Sequence, residues 1–308
     1  MEWLEIFSDP NTQWILMGSM LLGLSSGVIG SFAYLRKQAL MGDALAHAAL
    51  PGVCIAFMLT GTKSIFFFLI GAIIAGIAAT LSIGFITRNS RIKQDAALGI
   101  ILSAFFGIGI VLLTQIQHSD SGNQSGLDKF LFGHAASMIK SDVYTIAGIA
   151  LFLVLVSIVF FKEFKLISFD PGFAKGIGLP IVALDQFIML LLVTAVVIGI
   201  QAVGVVLMAA LLITPAVSAR YWTEKLHVMV IYSGVFGAVS GIAGTIISTM
   251  ANNLPTGPLI VLAATFLFII SILFGPRRGT VAKWRMRSQA KKDYRYKIVN
   301  QEVKEKSL

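Results

Sequence analysis

Apolar residues in this chain come in long unbroken runs rather than at helical or alternating intervals. Runs of about 20 predominantly apolar residues suffice to cross the roughly 30 Å hydrocarbon core of a bilayer. Such runs lie at 12–35, 39–60, 64–87, 95–117, 139–161, 226–250 and 257–275. A further run, 181–219, is too long for one crossing, because at about 1.5 Å per residue it reaches nearly twice that thickness. Gly199 and Gly204 flank Gln201 near its middle, where glycine suits a tight turn, so the run reads as two short spans. The pattern predicts an all-α fold, a polytopic transmembrane helical bundle of about nine spans. The count becomes eight if the second of that pair does not cross. No basic n-region precedes the first run, which is therefore expected to remain as a span rather than serve as a cleaved leader.

The basic residues test this count. With the N-terminus outside, Arg36 and Lys37, Arg88, Arg91 and Lys93, Lys162, Lys165 and Lys175, Arg220 and Lys225, and all those after Pro276 face the cytoplasm. Only Lys63, Lys129 and Lys140 then fall outside. That asymmetry is the one that orients membrane proteins. Merging 181–219 into one crossing reverses the side of Arg220 and Lys225 and of everything that follows. The chain is thus expected to comprise a transmembrane domain, 1–276, and a basic cytoplasmic tail, 277–308. The tail interleaves Trp284, Tyr294 and Tyr296 with Lys and Arg. On a membrane protein it is expected to lie in solvent against anionic lipid headgroups, with no nucleic-acid partner.

Composition excludes the soluble classes. Hydrophobic residues make up 56% of the chain and charged residues 13%, with a mean hydropathy of +0.85, against about 25% charged in soluble domains. The single cysteine, Cys54, allows no internal disulfide framework and no cysteine-rich metal cluster. It is expected to be a small apolar residue in a span.

Chemistry has to be sought among polar groups inside the membrane, where an Asp costs about 2.5–3.5 kcal/mol and usually faces a cavity or partner. The second span carries Asp43 and His47, spaced i,i+4 and so projecting from one helix face. Gly42, Ala44, Ala46, Ala48 and Ala49 surround them, small residues that let another backbone approach. Pro51 removes the amide that would bond the carbonyl of His47. A carboxylate, an imidazole and a freed carbonyl suit a divalent transition metal ion rather than Mg or Ca. One copy offers too few ligands, whereas two copies about a twofold axis offer two Asp and two His, so the site argues for a homodimer. The spacing leaves a second reading open, an Asp–His pair bonded internally near the cytoplasmic interface.

The stretch LRKQALMGDALAHAALPGV (35–53) resembles the signature of the membrane permeases of manganese, zinc and iron ABC importers, the ABC-3 family. The resemblance continues through QDAALGIILSAFFGIGIVLL (94–113), FLFGHAAS (130–137), FDPGFAKGIGLP (169–180), QAVGVVLMAALLITPAVSAR (201–220) and LPTGPLIVL (254–262). It covers roughly residues 12–275 and implies the transmembrane permease subunit of an ATP-driven importer in the bacterial plasma membrane. Its implied cargo is a divalent metal ion, manganese favoured, with zinc or iron as further candidates, and no cofactor is permanently bound. It implies a homodimeric pore, a cytoplasmic ABC ATPase subunit and an extracellular solute-binding protein that delivers the ion. The family's pore site, an aspartate and a histidine four apart, falls on Asp43 and His47.

In the segment 169–180, Asp170 is a good N-cap, Pro171 suits the first helical position, Gly178 the stop, and Pro180 prevents continuation. A two-turn helix is expected there. By itself it reads as an ordinary connecting helix; the resemblance implies that it couples to the ATPase, with Phe169, Phe173 and Lys175 as contacts. Pro215 frees the carbonyl of Leu211 beside Thr214, so a kink lining the path is a further candidate. Weaker candidates are the external loop with His118, Asp120 and Asp128, and His134 near the outer mouth. Gly23/Gly27 and Gly237/Gly241 are spaced to bring helices together. No phosphate-binding G-x-x-x-x-G-K-[ST] loop and no H-E-x-x-H occur, so the chain is not expected to hydrolyse ATP or act as an intramembrane zinc protease. The alternative function is an ion-coupled secondary metal transporter, which usually carries intramembrane acids in both halves.

Overall fold

The computed structural model describes residues 10–38, 41–61, 65–118, 138, 140–250, 254–284, 286 and 289, and every regular element among these is a helix. The elements are α1 (Pro10–Leu35), α2 (Met41–Thr60), α3 (Ile65–Asn89), α4 (Gln94–His118) and α5 (Lys140–Val159), then two short helices, α6 (Phe161–Phe169) and α7 (Pro171–Gly176). They are followed by α8 (Ile181–Val203), α9 (Val205–Trp222), α10 (Leu226–Met250) and α11 (Thr256–Phe274). Eight helices among the described residues are long and apolar enough to cross a membrane: α1 to α5, α8, α10 and α11. That is the lower of the two counts the sequence admits.

The segment 181–219 does divide, at Gly204, whose φ is +87°. A Cβ on Gly199 would lie 1.9 Å from Sδ of Met208, nine positions onward, which is possible only if the chain doubles back. The resulting α9 has 18 residues. From Met208 to Trp222 none of them is fully exposed. It lies inside the bundle. Its helix runs on through Pro215, as α2 does through Pro51.

Helices α1 and α10 form the spine, touching backbone to backbone. A Cβ on Gly23 would meet the carbonyl oxygen of Gly237 at 2.1 Å, and one on Gly27 that of Ser233 at 2.2 Å. The glycine pairs expected to draw helices together therefore pair with each other. Ser233 Oγ donates to the Gly27 carbonyl at 2.6 Å, and Ser19 and Thr245 hydroxyls lie 2.8 Å apart. Such hydrogen bonds satisfy polar groups where no water reaches. The turn after α1 sets Arg36 in an ion pair with Asp185 of α8.

Candidate metal site and exposed short helix

Asp43 and His47 sit in the first two turns of α2, on the one face of that stretch not packed into the bundle. Their side chains are 45% and 23% exposed, and Asp43 Oδ1 lies 3.6 Å from His47 Nε2. That exceeds a hydrogen bond, which runs about 2.7–3.2 Å, so the internal pair is not closed. Two donors on one ion, with bonds of about 2.0–2.2 Å, stand about 3–3.5 Å apart. The pair is near that separation and open on one side. Phe106 of α4 meets the His47 ring edge-on, centroids 5.0 Å apart at 82°, fixing its tilt. Among the described residues no third His, Cys, Asp or Glu joins the two into a metal-binding group. Among the described residues one chain therefore brings two candidate side-chain ligands together here.

The small residues around the pair do a different job from the one their composition suggested. Ala44, Ala46, Ala48 and Ala49 are buried within this chain, and a Cβ on Gly42 would lie 2.9 Å from Leu212 of α9. They bring the chain's own helices against α2 and are not open to a second copy. Small residues free of neighbours occur instead on α4: Gly99 and Gly107, where an added Cβ would meet nothing within 4 Å. Beyond His47, buried Pro51 borders an apolar groove of about 470 Å³ among α2, α3 and α4, lined by Ile55, Phe67, Ile74, Phe105 and Ile108. Cys54 is buried, its thiol 3.8 Å from the Gly109 carbonyl.

Thr214 and Pro215 lie in α9, two and three positions after the Leu212 that backs Gly42. Thr214 is half-buried, and its carbonyl accepts from Ser218 Oγ at 2.7 Å. His118 ends α4 with Nδ1 2.8 Å from the Thr114 carbonyl. Asp120, Asp128 and His134 lie outside the described residues, as does the tail beyond residue 289.

The segment 169–180 folds as its caps dictate. The Phe173 amide donates to Asp170 Oδ1 at 2.9 Å, and Pro171 opens the helix. Gly178 takes φ +85°, and the Leu179 amide returns to the Ala174 carbonyl at 3.1 Å. Ala174 is fully buried beneath it. Phe169, Phe173 and Ile177 are 55%, 57% and 56% exposed, and Lys175 is exposed beside them. Three large apolar side chains are thus exposed on an element too short to span, which makes it a candidate interaction surface. Ile177 was missed in the sequence although it follows Phe173 at i+4. Helix α6 was missed too: no proline or glycine separates it from α5, and the break is a local change at Phe160, φ −92° and ψ 17°.

Comparison with known proteins agrees over nearly the whole chain. The ABC 3 transport family matches residues 8–275. The manganese transport system membrane protein MntC of Bacillus subtilis is 57% identical over 281 residues, covering 91% of this chain and 64% of that one. The chain thus spans about two thirds of that relative's length. The zinc transport system membrane protein TroC of Treponema pallidum is 44% identical over 285 residues, 92% of this chain and 96% of that one. A solved structure of PsaBC from Streptococcus pneumoniae, in complex with a Fab, superposes with a TM-score of 0.80 at 34% identity, covering 90% of this chain and 96% of that one.

Proposed function

Because the chain belongs to the ABC 3 transport family, we propose that it is the multi-pass permease of a bacterial ATP-driven importer for a divalent transition metal ion. The observation that carries this reading is the open Asp43–His47 pair on α2. A carboxylate with an imidazole and no thiolate suits manganese, and zinc or iron next. Similarity to a manganese permease at 57% and to a zinc permease at 44% supports the same order. Two copies of the chain meet so that two Asp43–His47 pairs face each other, giving four side-chain ligands where one chain has two. An external binding protein delivers the ion to that site. ATP is hydrolysed by a separate cytoplasmic subunit that receives Phe169, Phe173, Lys175 and Ile177 in a groove, with Asp170 and Pro171 holding the knob's shape. Thr214 and Pro215, on the helix that backs α2, adjust the path as it opens. A permease moving metal on an ion gradient alone would need no such knob.

Asp43→Ala and His47→Ala test the reading. In metal-limited cells, elemental analysis should show accumulation of the ion falling about 100-fold or more, the upper range for loss of metal-site support. The amount of permease in the membrane and its association with the ATPase should not change. Undiminished uptake in both variants removes the pair from the mechanism.

A further inference from the structure

Resting on that reading, we infer that the Arg36–Asp185 ion pair is the strut that transmits movement of the α7 knob to the metal-bearing helix α2. The two ends of the strut are each rigidly tied to what they would connect. Asp185 stands one turn into α8, eight positions after Ile177. Between them the chain is held by the Ile177 amide on the Phe173 carbonyl, Gly178 on Lys175, Leu179 on Ala174 and Leu184 on Pro180, at 3.0–3.1 Å. The knob and the first turn of α8 therefore move as one body. Arg36 stands seven positions before Asp43. Its own segment is closed by the Lys37 amide on the Tyr34 carbonyl, Gln38 on Ala33 and Met41 on Gln38, at 2.9–3.0 Å, with Lys37 in the left-handed region at φ +58°. The first amide of α2 is thus bonded back to the segment that ends α1.

What joins these two bodies is charge. The side chains of Arg36 and Asp185 are only 14% and 27% exposed, so solvent screens their attraction weakly. Beside it, α1, α6 and α8 meet through rings: Phe32 on Phe164 at 5.4 Å and Phe164 on Phe187 at 6.1 Å. Ring contacts of that kind are worth only about 0.5–1.5 kcal/mol beyond the area they bury, and they yield to sliding more readily than paired charges do. A buried ion pair resists separation, because parting the charges leaves each unpaired in a poor solvent. The aromatic layer therefore serves as a bearing, and Arg36–Asp185 fixes the register between knob and α2. Both residues are positioning residues, since neither is argued to touch the ion.

The test uses the assembled transporter in proteoliposomes, with its ATPase and delivery protein, and reads Mn2+ transported per ATP hydrolysed. Arg36→Gln with Asp185→Asn removes both charges together and leaves no orphan. Arg36→Asp with Asp185→Arg restores the pair reversed. The expected result is that the doubly neutral chain reaches the membrane and binds Mn2+ as wild type does, while transport per ATP falls about ten-fold, a typical coupling loss. The charge-swapped chain recovers most of it. A doubly neutral ratio within about two-fold of wild type, a swapped chain no better than the neutral one, or a neutral chain that fails to insert each overturns the inference. A wild-type complex that moves none of Mn2+, Zn2+ and Fe2+ would instead sink the transport reading itself, so the two failures are distinguishable.

Discussion

The spine and the open face of this bundle are built from the same small and apolar residues, arranged to opposite ends. In α1 and α10, glycines meet the facing backbone so closely that a Cβ would stand 1.9–2.3 Å from a carbonyl oxygen, as at Gly23, Gly27 and Gly237. In α4, Gly99 and Gly107 face nothing, and Phe106, Ile108, Ile110 and Val111 lie exposed around them. Asp43 and His47 stand at the seam, on a helix whose inner side is packed on α9 and whose outer side looks toward α4. The difference separates what holds the fold from what is open to lipid or to another chain: α1 and α10 are packed backbone to backbone, whereas α4 turns an unpacked apolar face outward.

The sharpest way to break this contrast is Gly23→Leu. The new side chain would occupy the Gly237 carbonyl, and overpacking commonly costs about 1–3 kcal/mol or more. The permease should be largely lost from the membrane, as scored by its abundance and by thermal unfolding in detergent. Next is the knob. Phe169→Ser with Phe173→Ser should weaken ATPase association about ten-fold or more, within the range of central apolar anchors, while the permease remains folded. Co-purification reads the first and unfolding the second. Smaller again, Asp170→Ala removes the cap on the Phe173 amide, worth about 1 kcal/mol. Association should then fall several-fold, with all knob contacts still present. At the other extreme, Gly107→Ala should leave stability unchanged or raise it by up to about 1 kcal/mol, through helix propensity alone. A large loss there would show that α4 is packed within its own chain, and the contrast would fail.

How much of this was legible in the sequence follows from the range of the interactions. Spans are written in runs of apolar residues, and the basic asymmetry checks them. Gly204 announced the reversal, and the Asp170–Pro171–Gly178 caps announced α7, because each acts within a few residues. The glycine pairs of α1 and α10 were readable as contact-makers. The alanines near Asp43 looked alike but were misassigned to a second copy, since composition says that a backbone comes close and not whose. The Arg36–Asp185 pair joins positions far apart in the chain, and Phe106 reaches His47 from another helix, so neither has a local signal. The i,i+4 spacing of Asp43 and His47 was plain, whereas their 3.6 Å separation, longer than a hydrogen bond, depends on side-chain conformation.

The most direct measurement is a titration of the purified permease with Mn2+ that counts ions bound per chain, repeated on Asp43→Ala and His47→Ala. The account predicts one ion for every two chains in the wild-type protein and loss of that ion in either variant. One ion per chain, or binding that survives both substitutions, would contradict it.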